Sequence, residues 1–135
     1  MEHLLTSFSA VSGSSQQLVN LASAFLGGSI AIFIGTTHVS PTRTSVRLIY
    51  LLLLACWGSL AGSIVYGDSV LRQYLAATVT SDAEKIKDIF RLANGTYATQ
   101  LNCLRLAMLF FGIWLFAYML WWVFFREKHY GGQKS

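Results

Sequence analysis

Three stretches of this chain hold no Asp, Glu, Lys or Arg: Leu18 to Thr37, Leu48 to Gly67, and Leu106 to Phe125. Each is close to the ~20 residues an α-helix needs to cross a hydrocarbon core of roughly 30 Å. In lipid, backbone N–H and C=O groups must be satisfied within the segment, so an isolated span has to be helical. The sequence therefore predicts an all-α integral membrane protein with three transmembrane helices at 18–37, 48–67 and 106–125. Residues 68–105 form a helical extramembrane segment between the second and third.

Composition follows from those runs. The 135 residues are 54% hydrophobic and 12% charged, against about 25% charged in soluble domains. What lies outside the spans is too short for an independent soluble domain. The net charge of +4 is carried by Lys and Arg near the span ends, where they hold loops in place and meet anionic headgroups. They do not cluster on one face, so the expected partner is the lipid bilayer and no nucleic acid.

Cys56 falls inside the second span and Cys103 just outside the third, near the opposite surface. A disulfide needs Cα atoms within about 7 Å, so the two are not expected to pair within one subunit. His3, His38 and His129 lie in separate segments. No metal cluster and no cofactor is indicated.

Residues 1–17 contain Glu2, no Lys or Arg, and several Ser and Gln. That is a poor signal peptide, and Ala22-Ser23-Ala24 precedes most of the apolar run. The first span is expected to stay uncleaved. Leu4, Leu5, Phe8 and Val11 give either a weak amphipathic turn on the membrane surface or no order, and Ser12-Gly13-Ser14-Ser15 is expected to break it.

Ser40-Pro41-Thr42 marks the loop after the first span. In the long segment, Val70, Leu71, Tyr74 and Leu75 recur at helical spacing. β-Branched Thr78-Val79-Thr80 favours extension or a turn. Ser81 and Glu84 form an S-x-x-E capping box, with Asp82 where the helix dipole welcomes negative charge. The next helix carries Ile86, Ile89, Phe90 and Ala93 on one stripe, and it can gain from Glu84–Lys87 and Asp88–Arg91 pairs. Two covers for that stripe are open, the end of the second helix or the headgroup region. The hairpin is favoured, because the polar face mixes acids with bases. Asn94-Gly95 is expected to end or interrupt the helix. Asn94-Gly95-Thr96 is also a formal N-glycosylation acceptor. The tail from Arg126 to Ser135 is expected to be flexible.

Basic residues near span ends favour the inside. Arg43 and Arg47 stand in a loop without acids, and the tail carries Arg126, Lys128 and Lys134. This predicts the N-terminus outside and the C-terminus inside, in a bacterial inner (plasma) membrane.

No catalytic constellation emerges. The spans hold no ionisable carboxylate or basic side chain, where ion and proton pathways normally carry them. Two stripes of small residues stand out instead. One is Ser23, Gly27, Ala31 and Gly35; the other is Ala55, Gly58 and Gly62. Small residues at this spacing let helix backbones approach closely in lipid. They predict packing of the first two spans on each other. The other readings are a subunit interface, or a narrow pore lined by Ser29, Ser59 and Ser63.

The third span is aromatic. Tyr118, Trp121 and Trp122 precede Arg126 and Lys128 as a membrane-interface anchor. A pocket for a pigment, quinone or lipid is the sharper reading of the same residues.

The small size, three spans and basic tail resemble phage holins. That resemblance implies oligomerisation and permeabilisation of the inner membrane. The long connecting segment departs from that pattern. The function expected is a non-enzymatic subunit or membrane effector that associates as a homo-oligomer or in a larger membrane complex. A pore former and a membrane-embedded lipid or cofactor carrier are the alternatives.

Overall fold

The computed structural model describes residues 2–36 and 44–125. It consists of three α-helices, α1 (Glu2–Thr36), α2 (Thr44–Val79) and α3 (Ala83–Phe125). They contain 35, 36 and 43 residues. At about 1.5 Å per residue they extend ~52, ~54 and ~64 Å, well beyond a hydrocarbon core of roughly 30 Å. All three are long and apolar enough to span a membrane. The loop at Ser40-Pro41-Thr42, and the tail with Arg126 and Lys128, lie outside the described residues.

Two expected breaks do not occur. Ser12-Gly13-Ser14-Ser15 stays helical, and so does Asn94-Gly95. Local propensity disfavours helix at both places, but packing on either side outweighs it. Phe8 and Ala22 are buried on the two flanks of the first stretch, as Ala93 and Gln100 are around the second. No glycine among the described residues takes a positive φ.

The break that does occur lies at residues 80–82. Its cap is Asp82 rather than Ser81: the Glu84 N–H donates to Asp82 Oδ1 at 3.1 Å, and the Ile86 N–H donates to the Asp82 carbonyl at 3.1 Å. The Asp82 carboxylate sits closer to the first free amides and brings charge that the helix dipole favours. Before the turn, Thr78 Oγ1 donates to the Leu75 carbonyl and Thr80 Oγ1 to the Ala76 carbonyl, at 2.7 and 2.9 Å. The Thr80 hydroxyl serves the Ala76 carbonyl, one of the last four of α2, because the Thr80 N–H turns to the Ala77 carbonyl at 3.3 Å. Thr78 and Val79 therefore finish the helix instead of leaving it.

The hairpin forms, and α2 and α3 share the most extensive interface of the bundle. Its contacts differ from the expected stripe. Val70 and Ala77 are buried, whereas Leu71 and Leu75 face outward. On α3, Ile86 and Ala93 are buried and Ile89 and Phe90 pack beside them. The cover has an unforeseen third member. Phe8 of α1 lies 5.3 Å from Tyr74 and 5.4 Å from Phe90 between ring centroids. Among the described residues no ion pair joins Glu84 to Lys87 or Asp88 to Arg91. Asp68 and Arg72 pair instead at 2.8 Å. Both are exposed, so that pair adds little.

The contacts give the helix directions. Phe8 meets Tyr74 and Phe90, Phe33 meets Tyr50, and Phe25 meets Phe111. Hence α1 runs antiparallel to α2 and parallel to α3, and the three uncharged runs lie side by side in one apolar band. The N-terminal part of α1 and the α2–α3 turn share the opposite, charged end.

Two apolar clusters form the interior. One, in the band, joins Ala22, Cys56, Leu60, Leu104 and Ala107. The other, at the charged end, joins Phe8, Ala77 and Ala93. Buried positions recur every seven residues: Phe8, Ser15, Ala22 and Ser29 on α1, and Ile86, Ala93, Gln100, Ala107 and Trp114 on α3. Seven-residue spacing is the signature of coiled-coil packing, here built largely from small side chains.

Outside the uncharged runs, the large hydrophobics exposed among the described residues are Leu71, Leu75, Val79 and Leu92. Within the runs the large outward side chains are Leu, Ile, Val, Met, Phe, Tyr and Trp, as on Leu51, Leu54, Ile113 and Phe116, with small residues between them. An apolar surface continuous around a bundle far exceeds what a monomer in water exposes.

Candidate functional site

The predicted small-residue contact between α1 and α2 is not the one that forms. Ser23, Gly27, Ala31 and Gly35 are all exposed, and a Cβ added to Gly27 or Gly35 would meet nothing within 4 Å. α1 turns Ala22, Phe25, Leu26 and Ser29 inward instead. On α2, Ala55 and Gly58 are exposed, and Gly58 has open space above it. Gly62 is half-buried, with a Cβ position 3.7 Å from Cys103 Sγ, an ordinary contact. The reason is geometric. Both stripes lie about a quarter to half a turn away from the buried seven-residue positions, so one side cannot serve both.

The close approach occurs at Gly67. A Cβ there would overlap the Val19 methyl and come within 2.6 Å of Gln100 Nε2. Around this glycine the chain builds a polar clasp between the two apolar clusters. Ser15 Oγ donates to Gln100 Oε1 at 2.6 Å, and Gln100 Nε2 donates back to the Ser15 carbonyl at 3.1 Å. Ser63 Oγ donates to the Gln100 carbonyl at 3.2 Å. Ser15, Ser63 and Gln100 are each at most 1% exposed. The clasp ties all three helices at the edge of the apolar band.

The three serines read as a possible pore lining each have a hydrogen-bond partner within the chain. Ser63 is spent in the clasp. Ser29 is buried, donates to the Leu26 carbonyl at 2.9 Å and accepts from Trp57 Nε1 at 2.9 Å. Ser59 donates to the Ala55 carbonyl of its own helix.

The aromatic residues continue the interior toward the far end of the band. Phe111, Trp114, Tyr118 and Trp121 follow one another along α3 at centroid separations of 5.6, 5.6 and 6.2 Å. Phe33 bridges Tyr50 and Trp57 edge-on. Tyr118 is half-buried, while Trp121 and Trp122 are exposed at the end of the helix. Trp114 is 2% exposed and its Nε1 has no acceptor. That donor is unsatisfied where water cannot serve it, at a cost of about 1–3 kcal/mol.

Cys56 and Cys103 are free thiols, buried and half-buried. Among the described residues no His, Cys, Asp and Glu group could hold a metal ion. Among the described residues the arrangement offers hydrogen bonding and close packing, and no acid, base and nucleophile meet there.

Sequence reasoning missed Phe8, Ser15, Gly67 and Gln100. Their signal was the seven-residue register, with Ser15 between Phe8 and Ala22 and Gln100 between Ala93 and Ala107. Comparison with protein-family models, curated proteins and solved structures finds no match to this chain.

Gly67 and Gln100 should therefore be the intolerant positions of the band edge. Gly67→Ala is expected to destabilise by about 1–3 kcal/mol through overpacking. Gln100→Leu should cost a similar ~1–3 kcal/mol by stranding the Ser15 hydroxyl. Gly58→Ala, into open space, should be near neutral. Thermal unfolding in one detergent checks the order; equal stability of the Gly67→Ala and Gly58→Ala proteins would show that the clasp is not closed around Gly67.

Proposed function

We propose that this chain is a multi-pass membrane protein without catalytic chemistry, a small subunit or membrane effector that self-associates through the outer face of α1. The observation that carries this reading is the outward placement of Ser23, Gly27, Ala31 and Gly35. Lipid tails are as apolar as Leu, so lipid-facing bulk gives helices no reason to associate. Small residues do, by letting backbones meet at van der Waals distance. Among the described residues nothing packs against this stripe, so a contact with another chain is its use. Exposed Gln16 and Asn20 continue the same face, with Gln16 Nε2 3.4 Å from Asn20 Oδ1. Carboxamides at such positions hydrogen-bond across helices.

The mass of the complex in mild detergent tests the association. The native chain is expected as an oligomer, and Gly27→Leu should shift it to single-chain mass while leaving helicity intact. An oligomer that survives both Gly27→Leu and Gly35→Leu would remove α1 as its interface.

The bundle also supports an orientation. Residues 2–17 and the α2–α3 hairpin share one end, so they lie on one side of the bilayer. Arg47, near the start of α2, lies at the other end, and in the sequence Arg43 precedes α2 while Arg126 and Lys128 follow α3. The preference of such residues for the inside favours the hairpin and N-terminus out and the C-terminus in. The compartment that fits is a bacterial inner membrane. With Cys56 and Cys103 replaced by Ala, an outside-only thiol reagent should label Ser81→Cys and spare Ser135→Cys on intact cells. The reverse pattern inverts the topology.

One observation favours a second reading, a lipid or cofactor carrier: the orphaned Trp114 N–H beside the Tyr118 ring. An apolar ligand with a carbonyl or ester oxygen would satisfy it. Trp114→Phe keeps the ring and removes the donor. In lipid-stripped detergent it should stabilise by about 1 kcal/mol if the donor is empty. If lipid extract instead protects the native chain and not Trp114→Phe, the donor is occupied and the carrier reading gains.

A further inference from the structure

We infer that residues 2–14, about the first 20 Å of α1 at 1.5 Å per residue, form a detachable strap over the α2–α3 hairpin, latched by the Phe8 ring and hinged at Ser12-Gly13-Ser14. Among residues 2–14, Phe8 is the one that is fully buried; Leu4, Leu5, Val11 and Ser12 are half-buried and the rest are exposed. Its ring enters a socket made by Tyr74, Ala77, Ile89, Phe90 and Ala93. The two alanines leave the depth that an aromatic ring fills, and Tyr74 and Phe90 pack on it at tilted angles of 43° and 57°.

The strap has little reason to be helical without that latch. Thr6, Ser7 and Ser9 turn their hydroxyls back onto the carbonyls of Glu2, His3 and Thr6. Such bonds compete with the helix instead of supporting it. Ser12, Gly13 and Ser14 are poor helix formers in sequence, and Gly13 faces open space. A helix of this length is marginal by itself in water. The next fixed point is Ser15, held by two hydrogen bonds to Gln100. The bundle from Ser15 onward thus keeps its own anchor when the latch opens.

Opening is local. Residues 2–14 lose helix, and the hairpin presents an aromatic groove between Tyr74 and Phe90 beside the apolar band. Closing refills the groove with the chain's own Phe8. The strap is therefore a cover that controls access to the hairpin, separate from the α1 face proposed for association.

Hydrogen exchange read by mass spectrometry on the full chain in nanodiscs tests this. Phe8→Ala should speed exchange of residues 2–14 at least about tenfold and leave 16–36, 50–77 and 86–110 within about twofold of native. Gly13→Ala, which adds a methyl into open space and favours helix, should slow residues 2–14 about threefold. Two outcomes overturn the strap: unchanged exchange of residues 2–14 in Phe8→Ala, or an equal acceleration across all three helices, which would make Phe8 part of one cooperative core.

Discussion

The Ser15–Gln100 pair fixes how the three helices meet. In lipid, apolar residues have no strong preference between a neighbouring helix and a lipid tail. Burial by itself therefore does not choose a register. Two reciprocal hydrogen bonds between one serine and one glutamine do, because a slip of one residue would strand both partners where water is absent. Gly67 is the condition for it. Any side chain there would occupy the volume that the Gln100 carboxamide and Val19 now fill.

From that point the rest of the packing follows in both directions. Toward the charged end the helices close on Phe8, Ala77 and Ala93. Toward the band they close on Ala22, Cys56, Leu60, Leu104 and Ala107. The seven-residue recurrence holds across both clusters and through the polar layer. The bundle is one continuous coil rather than a membrane part with a separate extramembrane part attached. The turn at Thr80–Asp82 is the break among the described residues, where Asp82 and the threonine hydroxyls satisfy the free ends.

Much of the architecture was legible in the sequence. Absence of charge over three runs gave helices long enough to span a membrane, and the stripe at Ile86, Ile89, Phe90 and Ala93 gave the hairpin. The inward faces were not legible. In an apolar run, leucine and phenylalanine point either way at similar cost, so hydrophobic periodicity carries little information there. The information lay in small and polar residues, and two sets compete. Ser23, Gly27, Ala31 and Gly35 form the more regular stripe and face out, whereas Ser15, Ala22 and Ser29 face in. The second set wins because it aligns with Phe8 and with the donors and acceptors of the partner helices. Ser12–Ser15 and Asn94-Gly95 were misread for a related reason: local propensity was weighed without the packing on either flank.

The unbroken length of α3 has a mechanical consequence. It runs from Ala83 to Phe125 without a proline, so it bends little. Gln100 grips it partway along, with roughly 26 Å of helix on the hairpin side and about 38 Å on the aromatic side at 1.5 Å per residue. Because α3 is also held on either side of that point, from Ile86 and Ala93 to Ala107 and Trp114, neither arm can swing alone, and a sideways push on the hairpin tip tilts the three packed helices as one stiff body.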